Sequence, residues 1–267
     1  MLSVLKVGGS VLRDAASYAA AAEFLKRRLE EHGKERLVVI VSAQYGATDE
    51  LLAEAQTITN EPSSSALDLL WSTGELRSVA RLALHLQHLG VSAVPFNVHQ
   101  TGLVAGIGPV RSGERAAETT VRPLRLLAAL GTSRIVIVPG FLGVSAGGTI
   151  TSLGRGGSDL TAVLLAIAVR ADACELIKDV PGYFTADPHR DAGAQQIHAL
   201  GVDEALRMAD AGCDLVQRAA LAAAAQAGLH LIVRCLDAAA PVTHVNNRSQ
   251  HHGIRHEDDS RRAAVGA

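Results

Sequence analysis

Hydrophobic residues along this chain form two kinds of pattern that take turns. Short, nearly unbroken apolar runs at Ser3 to Val7, Leu37 to Ser42, Ala93 to Val98, Ile135 to Val138, Cys174 to Lys178 and Leu229 to Val233 predict buried strands. Between them, apolar residues recur at helical spacing in Ala15 to Glu31, Thr48 to about Gln56, Leu67 to Leu89, Leu124 to Leu130, a stretch beginning at Asp159, Val202 to Ala211 and Leu215 to Ala227. The long Leu67 to Leu89 stretch is expected to break near Ser72-Thr73-Gly74. Asn60 to Ser65 reads as a loop, and Gly102 to Gly113 as irregular, glycine-rich chain. Strands separated by helices predict an α/β protein, a three-layer α/β/α sandwich with a mainly parallel central sheet. Residues 1 to 240 form the predicted domain. From about Pro241 the apolar period stops, and residues 241 to 267 read as a polar, flexible tail.

With 267 residues and 48% hydrophobic content the chain can bury a large core, expected as one unit with two lobes. A formal net charge of −2 supplies no field for nucleic acid or an anionic membrane, which leaves small polar ligands as the expected partners. Cys174, Cys213 and Cys235 are far apart and odd in number, as expected of buried thiols in a reducing compartment. The first residues enter a strand with no signal-peptide pattern, and no run reaches the ~18 apolar residues that span a membrane. A cytoplasmic enzyme is the expectation. His244, His251, His252 and His256 have no cysteine or carboxylate in ligand spacing, so no metal site is assigned to them.

Chemistry is concentrated where strands end, the place at which open α/β sheets bind ligands. Thr151 to Asp159 reads Thr-Ser-Leu-Gly-Arg-Gly-Gly-Ser-Asp ahead of an apolar helix. Gly154, Gly156 and Gly157 allow close backbone approach, Ser158 or Asp159 can cap the helix, and Arg155 offers a fork for a carboxylate or phosphate. Lys6-Val7-Gly8-Gly9-Ser10 sets a lysine beside a glycine turn, an arrangement able to hold a phosphoryl group. Ser42 to Asp49 turns from a strand into a helix with hydroxyls available. Glu75, in Ser72-Thr73-Gly74-Glu75, either meets an ammonium group or faces solvent. Lys178-Asp179-Val180-Pro181-Gly182 leads a strand into a turn that closes at Asp187-Pro188.

In this order and spacing the segments resemble the aspartokinase branch of the amino acid kinase family, over about Leu5 to Val233. The matches are carried by Ser42 to Leu52, Ser72 to Glu75, Leu153 to Asp159 and Asp179 to Pro188. The resemblance implies the amino acid kinase fold, with the amino acid in the N-terminal lobe and ATP with Mg2+ in the C-terminal lobe. It implies phosphoryl transfer to the side-chain carboxylate of aspartate, and an expected homo-oligomer, dimer or larger. By the same resemblance Lys6, Asp159 and Lys178 are catalytic. Thr48, Glu75, Arg155 and Ser158 bind the amino acid, and Gly8, Gly9, Ser10, Asp179, Phe184 and Asp187 bind the nucleotide. The sequence departs from the family's pattern in several places. Val11 follows Ser10 where a hydroxyl is usual, Phe184 and His189 replace a tyrosine and an arginine, and Asp214 replaces a lysine while Lys178 replaces a threonine. The resemblance thus suggests a cation moved from 214 to 178. Regulatory ACT domains, usual after the kinase domain, are expected to be absent. Two alternatives stay open, another small acidic acceptor and a non-catalytic nucleotide- or oxyanion-binding protein on the same fold.

Overall fold

The structure is a computed structural model that describes residues 1–106, 119–154, 156–188 and 190–247. In chain order the elements are β1 (Leu2–Val7), α1 (Ala15–Glu31), β2 (Arg36–Val41), α2 (Ala47–Ile58), α3 (Ser64–His88), β3 (Ala93–Pro95), β4 (Leu103–Val104) and β5 (Thr120–Val121). They continue with α4 (Leu124–Thr132), β6 (Ile135–Pro139), β7 (Leu142–Val144), β8 (Ile150–Ser152), α5 (Gly157–Val169) and β9 (Ala173–Ile177). The last are β10 (Tyr183–Phe184), β11 (Gln196–Ile197), β12 (Ala199–Gly201), α6 (Val202–Asp210), α7 (Arg218–Ala227), β13 (Leu231–Arg234) and β14 (Thr243–Asn246).

Eight strands make the central sheet in the order β12-β14-β13-β9-β1-β2-β6-β3, parallel throughout except where β14 meets β13. Side chains alternate across it. Val4, Val38, Ile40, Val136 and Val138 pack with α4, α5 and α7 on one face, while Leu5, Val39, Val41 and Ile137 pack with α1 and α3 on the other. Burial on both faces explains why these strands read as continuous apolar runs. The expected three-layer sandwich is the fold. By the same alternation Lys6 shares the face of Val4, toward α5. No helix among the described residues is long and apolar enough to cross a membrane.

Several expectations need correction. The helix from 64 to 88 is not interrupted at Ser72-Thr73-Gly74. Ser72 and Thr73 donate their hydroxyls back to the carbonyls of Leu69 and Leu70 at 2.6 and 2.7 Å, so neither breaks the ladder. Gly74 lies where a Cβ would come within 3.2 Å of Leu51 Cδ1 and 3.3 Å of Ala43, which lets α3 approach α2 closely. The polar tail does not begin at Pro241, because Thr243–Asn246 is a strand paired to both β12 and β13, with Thr243 and Val245 buried. Residues 248–267, with His251, His252 and His256, lie outside the described residues. Most of Gly102 to Gly113 lies outside them as well. A hairpin, β7 with β8, stands between β6 and the Gly154 loop, where the sequence suggested direct succession. Of the cysteines only Cys174 is buried, and all three are free.

Candidate active site

The parallel strands β2, β1 and β9 end side by side, and the turns that leave them form one wall of a cavity of about 480 Å3. Beyond β1 the chain turns tightly, with Gly8 N–H donating to Ile177 O at 3.1 Å and Leu12 N–H to Gly9 O at 3.1 Å. Gly9 is required there, because a Cβ would stand 2.9 Å from Ala43 O. Two helices start at the cavity from glycines in the left-handed region, α2 after Gly46 (φ 81°) and α5 after Gly156 (φ 71°). Helix α5 is therefore started by its backbone, and Ser158 and Asp159 lie inside its first turn instead of capping it. Both face inward. Gly140 admits Ser158, since a Cβ on residue 140 would fall 2.5 Å from Ser158 Oγ.

At the floor, Asp159 holds two lysines. Its Oδ1 is 2.9 Å from Lys6 Nζ and 3.0 Å from Lys178 Nζ, and its Oδ2 is 2.8 Å from Lys178 Nζ. The N–H of Gln217 also donates to Oδ2, at 3.2 Å. All three charged side chains are buried. Burial alone would raise the Asp159 pKa, but the charges of Lys6 and Lys178 outweigh it and hold the carboxyl well below the usual carboxylate range. Burial, reinforced by the Lys6 charge, lowers the Lys178 ammonium to about 8. Opposite them Glu75 accepts the Ala43 N–H at 2.8 Å through Oε1, while its buried Oε2 has no hydrogen-bond partner among the described residues. Burial pushes the Glu75 carboxyl up to about 8, opposed by the Ala43 hydrogen bond and the Lys6 charge.

The structure thus brings Lys6, Gly8, Gly9, Ser10, Thr48, Glu75, Ser158 and Lys178 to one cavity, with Asp159 directly behind the lysines. Asp179 stands at its rim, accepting the Ser10 hydroxyl at 3.0 Å and lying 3.8 Å from Arg13. Phe184 and the exposed Asp187, which pairs with Arg190 at 3.3 Å, do not line this cavity. Arg155 and His189 lie outside the described residues. The substituted Asp214 is exposed, three positions before Gln217. Sequence reasoning missed two aromatic walls, Trp71 and Phe141, packed edge to face with centroids 5.6 Å apart. Trp71 Nε1 donates to Thr48 O at 3.2 Å. Its position four residues before Glu75 on one helix was the available signal, because that spacing shares a face. A larger hollow of about 860 Å3 between α3 and β3 has no charged residue in its lining.

Residues 1–235 match the family model described as the amino acid kinase family. The chain belongs to the amino acid kinase family. An aspartokinase of Thermus thermophilus is 37% identical over 233 residues, covering 87% of this chain and 56% of that protein. The aspartate kinase of Synechocystis superposes with a TM-score of 0.79 at 34% identity, over 93% of this chain and 40% of that one. Aspartokinase III of E. coli, solved in complex with aspartate and ADP, gives a TM-score of 0.78 at 26% identity, over 94% of this chain and 66% of that one. This amino acid kinase chain spans about half the length of the curated relatives it matches.

Proposed function

We propose that this chain transfers the γ-phosphoryl group of ATP to the side-chain carboxylate of L-aspartate, giving 4-phospho-L-aspartate and ADP. The observation that carries the reading is electrostatic. Two buried ammonium groups share one carboxylate, leaving one positive charge without a second counter-ion among the described residues, beside a glycine turn and two helix starts. An uncompensated buried charge is costly, and an anionic phosphoryl group relieves the cost. The likeness to aspartokinases supports aspartate as the acceptor.

In the transfer a carboxylate oxygen forms a bond to the γ-phosphorus as the bond to the β,γ-bridging oxygen breaks, and ADP leaves with the electron pair. An ionised carboxylate needs no base, so positioning and charge stabilisation carry the rate. Asp159, held by both lysines, is unsuited to proton abstraction in any case. Glu75 Oε2 is the acceptor for the substrate ammonium, while Thr48, Ser158 and Arg155 orient the rest of the amino acid. Among the described residues no group of three His, Cys, Asp or Glu could hold a metal. That donor set fits magnesium carried on the phosphates, which usually takes few protein ligands and would supply further charge neutralisation there. The test is hydroxylamine trapping of an acyl phosphate, with ADP release, across a panel of carboxylic amino acids in the presence of Mg-ATP. Aspartate-dependent hydroxamate is the expected result. Its formation with a different acid alone would reassign the acceptor, and its absence with every acid would refute the activity.

A further inference from the structure

The turn after β1 carries a cation that the proposed reaction has not yet used. Arg13 is exposed, and the chain around it is pinned to the turn after β2. Leu12 O accepts the Tyr45 N–H at 2.9 Å, and Arg13 O accepts from Gln44 Nε2 at 2.9 Å. The guanidinium is held on two sides. Its Nε donates to Ser10 O at 2.8 Å, and its Cζ lies 4.7 Å from the centre of the Tyr45 ring, within range of a cation–π contact. Ser10 and Tyr45 both line the cavity, so the guanidinium stands at its mouth, while Lys6 and Lys178 are buried at its floor. The outer edge of the fork is unfilled. Among the described residues Nη1 and Nη2 make no hydrogen bond, and the one ion pair is to Asp179 Oδ2, 3.8 Å from Nη2 and too far for such a bond. The other oxygen of Asp179 accepts the Ser10 hydroxyl at 3.0 Å.

The three groups around Arg13 follow three neighbouring strands, Tyr45 after β2, Ser10 after β1 and Asp179 after β9. Arg13 therefore spans the row of strand ends at which the cavity opens, with its free edge turned to the chain after β9. A planar fork with unused donors suits a phosphate, whose oxygens accept two parallel N–H bonds. An exposed carboxylate without a hydrogen bond to it holds such a fork weakly, so a phosphate draws it away from Asp179 at little cost. From this juxtaposition of Arg13 with Ser10, Tyr45 and Asp179 at the mouth of the cavity, we infer that Arg13 binds the terminal phosphates of the nucleotide from the solvent side. Ser10 O fixes Nε, the Tyr45 ring supports the plane of the guanidinium, and Nη1 and Nη2 are the donors left to the ligand. The inference rests on ATP as the donor and adds a residue that contacts it.

Calorimetric titration with AMP and with a non-hydrolysable ATP analogue, both with Mg2+, tests the assignment without depending on turnover. Arg13→Gln removes the charge, and Arg13→Lys keeps the charge but loses the fork. Affinity for the analogue should fall by on the order of 10-fold in Arg13→Gln and about 3-fold in Arg13→Lys, as expected for lost charged hydrogen bonds. AMP has no terminal phosphates, so its affinity should stay within about 2-fold in both variants. Added salt should weaken the analogue more for the unaltered protein than for Arg13→Gln, because an exposed charge is screened. Equal losses for AMP and the analogue would make Arg13 a structural support of the turn, and an unchanged analogue affinity in Arg13→Gln would overturn the inference outright. A raised KM for aspartate with nucleotide affinity unchanged would also overturn it, by giving the fork to the acceptor. Aspartate-dependent hydroxamate from the unaltered protein, with an unmoved analogue to AMP affinity ratio in Arg13→Gln, refutes this inference alone. A moved ratio without hydroxamate refutes the aspartate reading alone, and an unaltered protein that binds neither nucleotide refutes both.

Discussion

Glu75 shows how much one side chain carries here. Its Oε1 is fixed by the Ala43 N–H, its Oε2 is buried without a hydrogen-bond partner among the described residues, and burial raises its carboxyl to about 8. An unfolded glutamate ionises near its ordinary value of 4.5. Between those values the native state therefore binds more protons than the unfolded state, and stability falls as pH rises. The ligand-free protein should lose melting temperature from pH 5 to pH 8 relative to Glu75→Gln, whose side chain does not titrate. Thermal denaturation of both proteins across that range checks the sign, and parallel curves would contradict it. The role of Glu75 was legible only as an alternative, ammonium or solvent, because nothing in Ser72-Thr73-Gly74-Glu75 tells a buried helix face from an exposed one. Its burial and its bond to the Ala43 N–H, beyond the end of β2, come from chain distant in sequence.

Among the elements, α5 ties the cavity together through its first turn. Thr161 Oγ1 donates to Gly157 O at 3.0 Å and accepts the N–H of Phe141 at 3.1 Å. Phe141 has a φ of 68°, a left-handed conformation uncommon outside glycine, and one face of the cavity is its ring. Thr161→Val keeps the shape and removes the acceptor, leaving a buried N–H unpaired. The expected cost is about 1–3 kcal/mol of stability, read from denaturant unfolding. An effect within a few tenths would show that Phe141 holds its conformation unaided. The strands β1, β2, β6 and β9 were legible because burial on both faces leaves unbroken apolar runs, and α1 because its apolar residues recur at helical spacing. The continuity of α3 was not. Ser72 and Thr73 satisfy the backbone inside the helix with the same hydroxyls that favour turns elsewhere.

For the whole molecule, β14 carries the sheet past Pro241. Thr243-His244-Val245-Asn246 alternates buried with less buried positions, but four residues among polar neighbours are too few to read as a period. The strand fills the gap between β12 and β13, and Thr243 Oγ1 accepts the Tyr183 N–H at 2.9 Å. A chain ended after Ala240 should therefore melt well below one ended after Asn247. Equal melting temperatures would show that β14 adds nothing to the sheet. The middle of that sheet has a different consequence. Lys6 stands on β1 and Lys178 directly follows β9, both held by backbone hydrogen bonds, whereas Thr48, Trp71, Glu75 and Phe141, which line the same cavity, stand on helices and turns outside the sheet. The interval between the two charges is thus set by the backbone lattice together with the one carboxylate, Asp159, that both lysines share. On the proposed reading, descendants of this chain could exchange one acid for another by redrawing the turns, and the lysine-bearing half would be inherited unchanged.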